Sequence, residues 1–375
     1  MEPIQMVDLQ KQYLKIKDEI DQAIHGVIDQ SLFINGPAVK DFAKDLASYQ
    51  QVKHVIPCAN GTDALQIALM AMEYPSEAEI IVPAFTYVAT VEVIALLGLK
   101  PVFVDVNPDN FNIDVLQVRE KISERTVAII PVHLYGQCAQ MEKLLEISEK
   151  YNLHIIEDAA QALGSENYFS NGNIRKAGTM GIIGATSFFP SKNLGCFGDG
   201  GALFTNNDEL APKLQMIANH GQKKKYHHSI IGVNSRLDTL QAAILRVKLK
   251  YLDEYNNKRN ELAKLYDQAF ETNNLITIPK RSKFSNHVFH QYTLILNDIN
   301  REKFKDYLQE KGIPTMVYYP IPLHLQEAYV GYGYKIGQFP VAESLCQSVI
   351  SLPIHTEMDI SQAYYIIESV NNYLK

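Results

Sequence analysis

Lys192 stands in the run Thr186-Ser187-Phe188-Phe189-Pro190-Ser191-Lys192-Asn193-Leu194-Gly195, and upstream the apolar run Leu153-His154-Ile155-Ile156-Glu157-Asp158 ends on an acid. A lysine among small residues, downstream of an aspartate at a strand end, is what pyridoxal 5'-phosphate chemistry needs. The lysine amine condenses with the cofactor aldehyde. The aspartate pairs with the protonated pyridine nitrogen, so that the ring acts as an electron sink. A serine ahead of the lysine can take the cofactor phosphate.

Each of these residues also has a plainer reading. On composition alone, Lys192 is a solvated surface lysine. Against that, its neighbours Phe188, Phe189, Leu194 and Phe197 form an apolar setting that lowers a lysine's pKa by desolvation. Gly195, Gly198, Gly200 and Gly201 let backbone approach a ligand closely. Asp158 falls where open α/β sheets bind ligands, beyond the carboxyl ends of strands. An acid there could equally hold magnesium in a nucleotide-hydrolysing protein, but the chain has no Gly-x-x-x-x-Gly-Lys-Ser/Thr loop. Gly198-Asp199-Gly200-Gly201-Ala202-Leu203 ends in leucine and so leaves a dinucleotide fingerprint incomplete.

Cys58-Ala59-Asn60-Gly61-Thr62-Asp63-Ala64-Leu65 joins a strand to a helix. Free N–H groups of Thr62 and Asp63 would make the helix start an anion site suited to phosphate, although a simple capped turn explains the segment as well. Tyr87, in Pro83-Ala84-Phe85-Thr86-Tyr87, could stack on a pyridine ring or pack in the core. His227-His228 and Lys223-Lys224-Lys225 read as an exposed loop, and no metal site is expected.

The elements that must position these residues follow from size and pattern. A chain of 375 residues fits one large and one small unit. With 46% hydrophobic and 21% charged residues it has an ordinary globular composition. The net charge of -7 argues against a nucleic-acid partner. Cys58, Cys138, Cys196 and Cys346 are far apart, without a C-x-x-C pair, and read as reduced thiols of a cytoplasmic protein. Glu2 and Asp8 argue against a secretory signal, and the stretch Val91 to Val106, broken by Lys100 and Pro101, is too short to span a bilayer. No membrane partner is expected.

A first helix is expected after Asp8, with Leu9, Tyr13, Ile16, Ile20, Ile24 and Ile28 at helical spacing, and a second after Gly36-Pro37. Apolar strands then alternate with helices. Strands are predicted at 54–57, 79–82, 101–105, 127–131 and 155–156, and helices at 62–72, 88–97, 116–122 and 141–151. This alternation indicates a mostly parallel sheet covered on both faces. Ser235-Arg236-Leu237-Asp238 resembles a capping box opening a long helix through Leu265, of the kind that bridges two domains. A strand at 288–296 and helices at 301–311 and 360–374 follow. The boundary is placed near residue 245, giving a cofactor-binding large domain over 1–245 and a small domain over 246–375.

Together, Ala59 to Leu65, Glu157 to Gln161, Ser187 to Gly201 and Gly232 to Asp238 resemble the PLP-dependent nucleotide-sugar aminotransferases of the DegT/DnrJ/EryC1/StrS type, over nearly the whole chain. The resemblance implies an α/β fold-type I aminotransferase. Its large domain has a mostly parallel seven-stranded sheet flanked by helices, and its C-terminal domain is a smaller α+β unit. It also implies a homodimer with shared active sites. By the same resemblance Lys192 carries the cofactor, Asp158 meets the pyridine nitrogen, Gln161 lies near the ring hydroxyl and Tyr87 stacks on the ring. Ser187, Thr62 and Asp63 would hold the phosphate, with Asn234 reaching it from the neighbouring subunit. Arg236, Tyr318, Tyr319 and His324 fall on the substrate side.

The implied reaction moves the amino group of L-glutamate, through the cofactor, onto a nucleotide-linked keto-sugar, with Lys192 as tether and general acid/base. Phe85 to Thr90, Thr186 to Gly201 and His220 to Leu245 resemble most the branch that aminates C3, nearest to enzymes acting on UDP-2-acetamido-2-deoxy-3-oxo-D-glucuronate. Arg236 could hold the uronate carboxylate. These enzymes serve cell-surface polysaccharide synthesis, such as that of lipopolysaccharide O-antigen. At Tyr318 the uronate enzymes carry histidine, and Pro322-Leu323-His324-Leu325-Gln326 also resembles enzymes using dTDP-3-keto-6-deoxyhexoses. Two further alternatives are a PLP sugar dehydratase, whose members carry histidine at the position of Lys192, and a non-catalytic regulator of the same fold.

Overall fold

The computed structural model describes residues 2–375. Seven strands form the main sheet: β1 His54–Cys58, β2 Glu79–Pro83, β3 Lys100–Val104, β4 Thr126–Ile129, β5 His154–Asp158, β6 Ile183–Ser187 and β7 Gly201–Thr205. Their order is β1-β7-β6-β5-β4-β2-β3. β7 alone runs antiparallel to its neighbours; the other pairings are parallel.

The strands are apolar throughout because both faces are covered. Along β2, Ile80 and Val82 join one hydrophobic cluster while Ile81 joins the cluster on the other face, as the two-residue period of a strand requires. The helices Gly61–Met72 and Ala89–Leu96 serve the first cluster and Met141–Tyr151 the second.

A second core forms around a three-stranded antiparallel sheet: β8 Ile276–Thr277, β9 Tyr292–Leu296 and β10 Val349–Leu352. Residues of the helices Leu252–Phe270, Arg301–Glu310 and Ile360–Tyr373 fill it, and Ile4 reaches it from the start of the chain.

Several expectations are corrected. The first helix is two, Leu9–Lys15 and Lys17–Gln30, broken at Ile16 (φ -120°), although Asp8 caps it as read. The long helix to Leu265 is also two, Thr239–Leu249 and Leu252–Phe270. At the break the amides of Lys250 and Tyr251 turn to the carbonyls three residues back. Ser235 does not open a capping box: its hydroxyl accepts the Ala59 N–H at 3.0 Å, and the helix starts only after Asp238. The strand expected from 288 begins at Tyr292, because Val288 N–H is drawn to the Gly136 carbonyl at 2.8 Å.

Candidate active site

Parallel order brings the carboxyl ends of β2, β5 and β6 to one edge. The antiparallel return of β7 places Gly201 opposite both Ser187 and Cys58. Loops carrying residues 59–62, 84–90, 158–161 and 187–200 therefore converge on one cavity of about 420 Å³, lined by Thr62, Tyr87, Asp158, Gln161, Ser187 and Lys192 among others.

Two glycines make the approach possible. A Cβ on Gly61 would lie 2.8 Å from Ser187 Cβ, and one on Gly201 would collide with the Asn60 carbonyl. Asn60 caps the helix Gly61–Met72 by accepting the Asp63 N–H at 2.8 Å. Such a cap is worth about 0.5–2 kcal/mol. It also corrects the reading of the anion site: the Asp63 amide is committed to the cap, while Thr62 lines the cavity beside Ser187. Phosphate there would meet the positive end of the helix dipole.

Asp158, buried at the end of β5, accepts the Thr90 hydroxyl at 2.8 Å on one oxygen and the Ala160 N–H at 3.1 Å on the other. These bonds fix the plane of the carboxylate. Behind it Glu157, fully buried, accepts His133 Nε2 at 2.8 Å and the amides of Gly178, Met180 and Gly181 at 2.8, 2.6 and 2.6 Å. His133 Nδ1 accepts the Ala139 N–H at 3.1 Å, so Nε2 bears the ring proton. Burial alone would raise the Glu157 pKa. The His133 hydrogen bond, with the Gly181 and Gly178 amides, outweighs it and holds the group below the usual carboxylate range.

Lys192 is half-buried, and its pKa is lowered to about 8. Desolvation is the larger cause, and Asp158 opposes it. At neutral pH a lysine so poised is still mostly protonated, but its free-amine fraction is about a hundredfold or more above that of an ordinary lysine, as a nucleophile or proton carrier requires.

The orientation of Gln161 is set by a donor. The backbone N–H of Tyr135 reaches its Oε1 at 2.8 Å, so the amide nitrogen points the other way and donates to the Tyr319 hydroxyl at 3.1 Å. Tyr87 leans on Tyr319 with ring centroids 6.1 Å apart and stays 55% exposed at the cavity mouth. Tyr318 also lines the cavity, its carbonyl taking the Tyr135 hydroxyl.

Besides Asp63, three residues assigned from the sequence lie outside the cavity. Asn234 is exposed and outside the cavity of its own chain. Arg236 is half-buried and donates to Asn219 Oδ1 at 3.3 Å, also outside it. His324 is buried against Phe103 and Phe339, with Nε2 3.1 Å from Glu343 Oε1. In this conformation it is a core residue and does not reach the cavity.

Conversely, Thr90, Tyr135, His290 and Gln291 belong to the site without a motif that marks them. His290 and Gln291 line the cavity and lie just before β9. Thr90 sits inside an apolar helix, with no local sign of its bond to Asp158.

These residues fit pyridoxal 5'-phosphate. A glycine cradle with Thr62 and Ser187 suits the phosphate, a fixed carboxylate suits the pyridine nitrogen, and a desolvated lysine suits the aldehyde.

Comparison with known proteins agrees with this chemistry. The DegT/DnrJ/EryC1/StrS aminotransferase family matches residues 14–371. A UDP-2-acetamido-2-deoxy-3-oxo-D-glucuronate aminotransferase of Pseudomonas aeruginosa is 44% identical, covering 98% of this chain and 100% of the relative. A protein of Geobacillus stearothermophilus named a pleiotropic regulatory protein is 45% identical over 99% of each chain. The crystal structure of DesV from S. venezuelae, in complex with a ketimine intermediate, superposes with a TM-score of 0.96 at 38% identity, covering 100% of this chain and 99% of that one. The chain belongs to the DegT/DnrJ/EryC1/StrS aminotransferase family, the PLP-dependent sugar aminotransferases of fold-type I.

Proposed function

We propose that this enzyme transfers the amino group of L-glutamate to C3 of UDP-2-acetamido-2-deoxy-3-oxo-D-glucuronate, in the cytoplasm, for cell-surface polysaccharide synthesis. The observation that carries the substrate choice is the full-length likeness to the P. aeruginosa enzyme named for that sugar. When bound, pyridoxal phosphate supplies an electron sink for the carbon that loses its proton.

In this reading the chain's own residues divide the work. Lys192 would hold the cofactor aldehyde and would serve as the base and acid that moves a proton at the substrate carbon. Its lowered pKa suits it to both accept and return that proton. Asp158, fixed by Thr90 and Ala160, keeps the pyridine nitrogen protonated. Thr62 and Ser187 hold the phosphate, and Tyr87 covers the ring at the open mouth.

The active unit is a homodimer. Apolar Tyr87, Phe189, Phe197 and Ile231 are exposed, and a partner would cover them. Asn234 of the partner subunit completes the phosphate site, and Arg236, two residues along the same segment, comes with it and pairs the uronate carboxylate. The division into a cofactor unit of 1–245 and a small unit of 246–375 belongs to the same reading. It is supported by a second hydrophobic core that draws on the helix Leu252–Phe270 from Leu262 onward.

The test is turnover of the UDP-keto-uronate and of a dTDP-3-keto-6-deoxyhexose with glutamate, in wild type and in Arg236→Ala. The uronate should be preferred, and Arg236→Ala should lose that preference. If the deoxyhexose is preferred, or if Arg236→Ala turns over the uronate normally, the substrate assignment fails.

A further inference from the structure

Four residues form a closed circuit around the inner wall of the cavity. The Tyr135 N–H donates to Gln161 Oε1 at 2.8 Å, and Gln161 Nε2 donates to the Tyr319 hydroxyl at 3.1 Å. Tyr319 follows Tyr318 in the chain, and the Tyr318 carbonyl accepts the Tyr135 hydroxyl. The circuit has a direction. A backbone N–H can only donate, so the amide oxygen of Gln161 must face Tyr135 and its NH₂ must face Tyr319. An NH₂ has two hydrogens. One is spent on Tyr319, and the other takes no partner among the described residues, while Gln161 lines the cavity as Asp158 does.

We infer that Tyr319 is a positioning residue for Gln161, holding its amide so that the second N–H is presented to the hydroxyl of the cofactor ring. The Tyr319 ring is itself wedged, with Phe85 and Tyr87 centroids each 6.1 Å away. Burial raises its phenol pKa well above the ordinary value, so the hydroxyl stays protonated throughout the working range. The inference rests on the reading of Gln161 as the partner of the ring hydroxyl. It departs from a substrate-side role for Tyr319.

An N–H donated to the ring oxygen stabilises its anionic form. Losing that donor should therefore move upward the pH at which the absorbance of the bound cofactor changes. The other titratable groups facing the ring site are Asp158, Lys192, Asp199, His290, Tyr87, Tyr135 and Tyr318; all are kept in the variants below.

The experiment is a pH titration of cofactor absorbance in the holoenzyme, without sugar or amino donor, for wild type, Tyr319→Phe, Gln161→Ala and the double variant. Thermal melting checks that each folds. Tyr319→Phe should raise the midpoint by about half a unit or more, within the range of a lost hydrogen bond. Added to Gln161→Ala it should give no further shift, because both act through one amide. An unchanged midpoint in Tyr319→Phe with a higher sugar KM overturns the inference and returns Tyr319 to the substrate. Additive shifts also overturn it. If Gln161→Ala leaves the midpoint unmoved, the assignment of Gln161 itself fails and the inference falls with it. Should the double variant not fold, Gln161→Glu replaces Gln161→Ala in the same comparison.

Discussion

Thr90 Oγ1 donates to Asp158 Oδ2 at 2.8 Å from inside a helix that otherwise packs apolar side chains against the sheet. The bond couples the helix after β2 to the end of β5, and it leaves the second carboxylate oxygen to the Ala160 N–H. The carboxylate is thus oriented before any cofactor arrives. Thr90→Val keeps the shape of the side chain and removes the donor. A hydrogen bond to a charged group contributes about 1.5–3 kcal/mol. Turnover in Thr90→Val should fall about tenfold or more while the melting temperature changes little. Wild-type kcat would show that the bond does not orient the carboxylate.

The Lys192 amine should capture pyridoxal 5'-phosphate most readily when uncharged. Its pKa is lowered to about 8, so the ammonium form dominates below that pH and the free amine above it. In cofactor-stripped full-length protein, borohydride-trapped adduct at Lys192, measured by peptide mass, should form faster as pH rises through about 8 and then level off. A rate still climbing toward pH 10.5 would mean the lysine has its ordinary pKa. Lys192→Ala should give no adduct and no turnover.

Glu157 governs a different property, the response to acid. Its folded pKa lies below the ordinary value, so its contribution to stability is full above the unfolded carboxylate pKa of about 4.3. That contribution is lost as pH falls through the lower folded value. Glu157→Gln keeps the size but puts an NH₂ either against the Met180 and Gly181 amides at the Oε1 position or against the Gly178 amide and His133 Nε2–H at the Oε2 position. Each hydrogen bond lost from the buried carboxylate costs about 1.5–3 kcal/mol. The variant should melt several degrees below wild type at pH 7, and the gap should narrow toward pH 3. A constant gap would place the stabilisation elsewhere than in the ionised group.

Much of the sheet could be read in advance because its strands are short apolar runs between helices of clear period, as β2 and β3 illustrate. The place of Lys192, Asp158, Gln161 and Ser187 at one cavity was legible because each lies beside a strand end or a glycine run. The helix breaks at Ile16 and at Lys250–Tyr251 were not, since the apolar spacing continues across both. Ser235 misled because its hydroxyl serves the Ala59 amide, a contact distant in sequence. Thr90 and Tyr135 act through bonds to residues 68 and 26 positions away, and local pattern carries no trace of those. His324 shows the converse. Its motif suggested a ligand contact, yet packing against Phe103 and Phe339 keeps it in the core.

The sharing of active sites can be tested by mixing two dead proteins. Asn234 is exposed and lies outside its own chain's cavity, so its role at a phosphate requires a second subunit. In a hybrid dimer of Lys192→Ala with Asn234→Ala, one site combines an intact Lys192 with the intact Asn234 of the partner subunit. The other site has neither. Random exchange makes about half of the dimers hybrids, each with one restored site in two, so activity should approach roughly a quarter of wild type. Each parent alone should be far weaker, Lys192→Ala for want of its amine and Asn234→Ala through weaker cofactor retention. Sedimentation should give twice the chain mass of 42.3 kDa. If Asn234→Ala alone is fully active, or if mixing restores nothing although subunits demonstrably exchange, Asn234 does not complete the neighbour's site. Arg236, carried by the same segment, would then lose its place at the substrate as well.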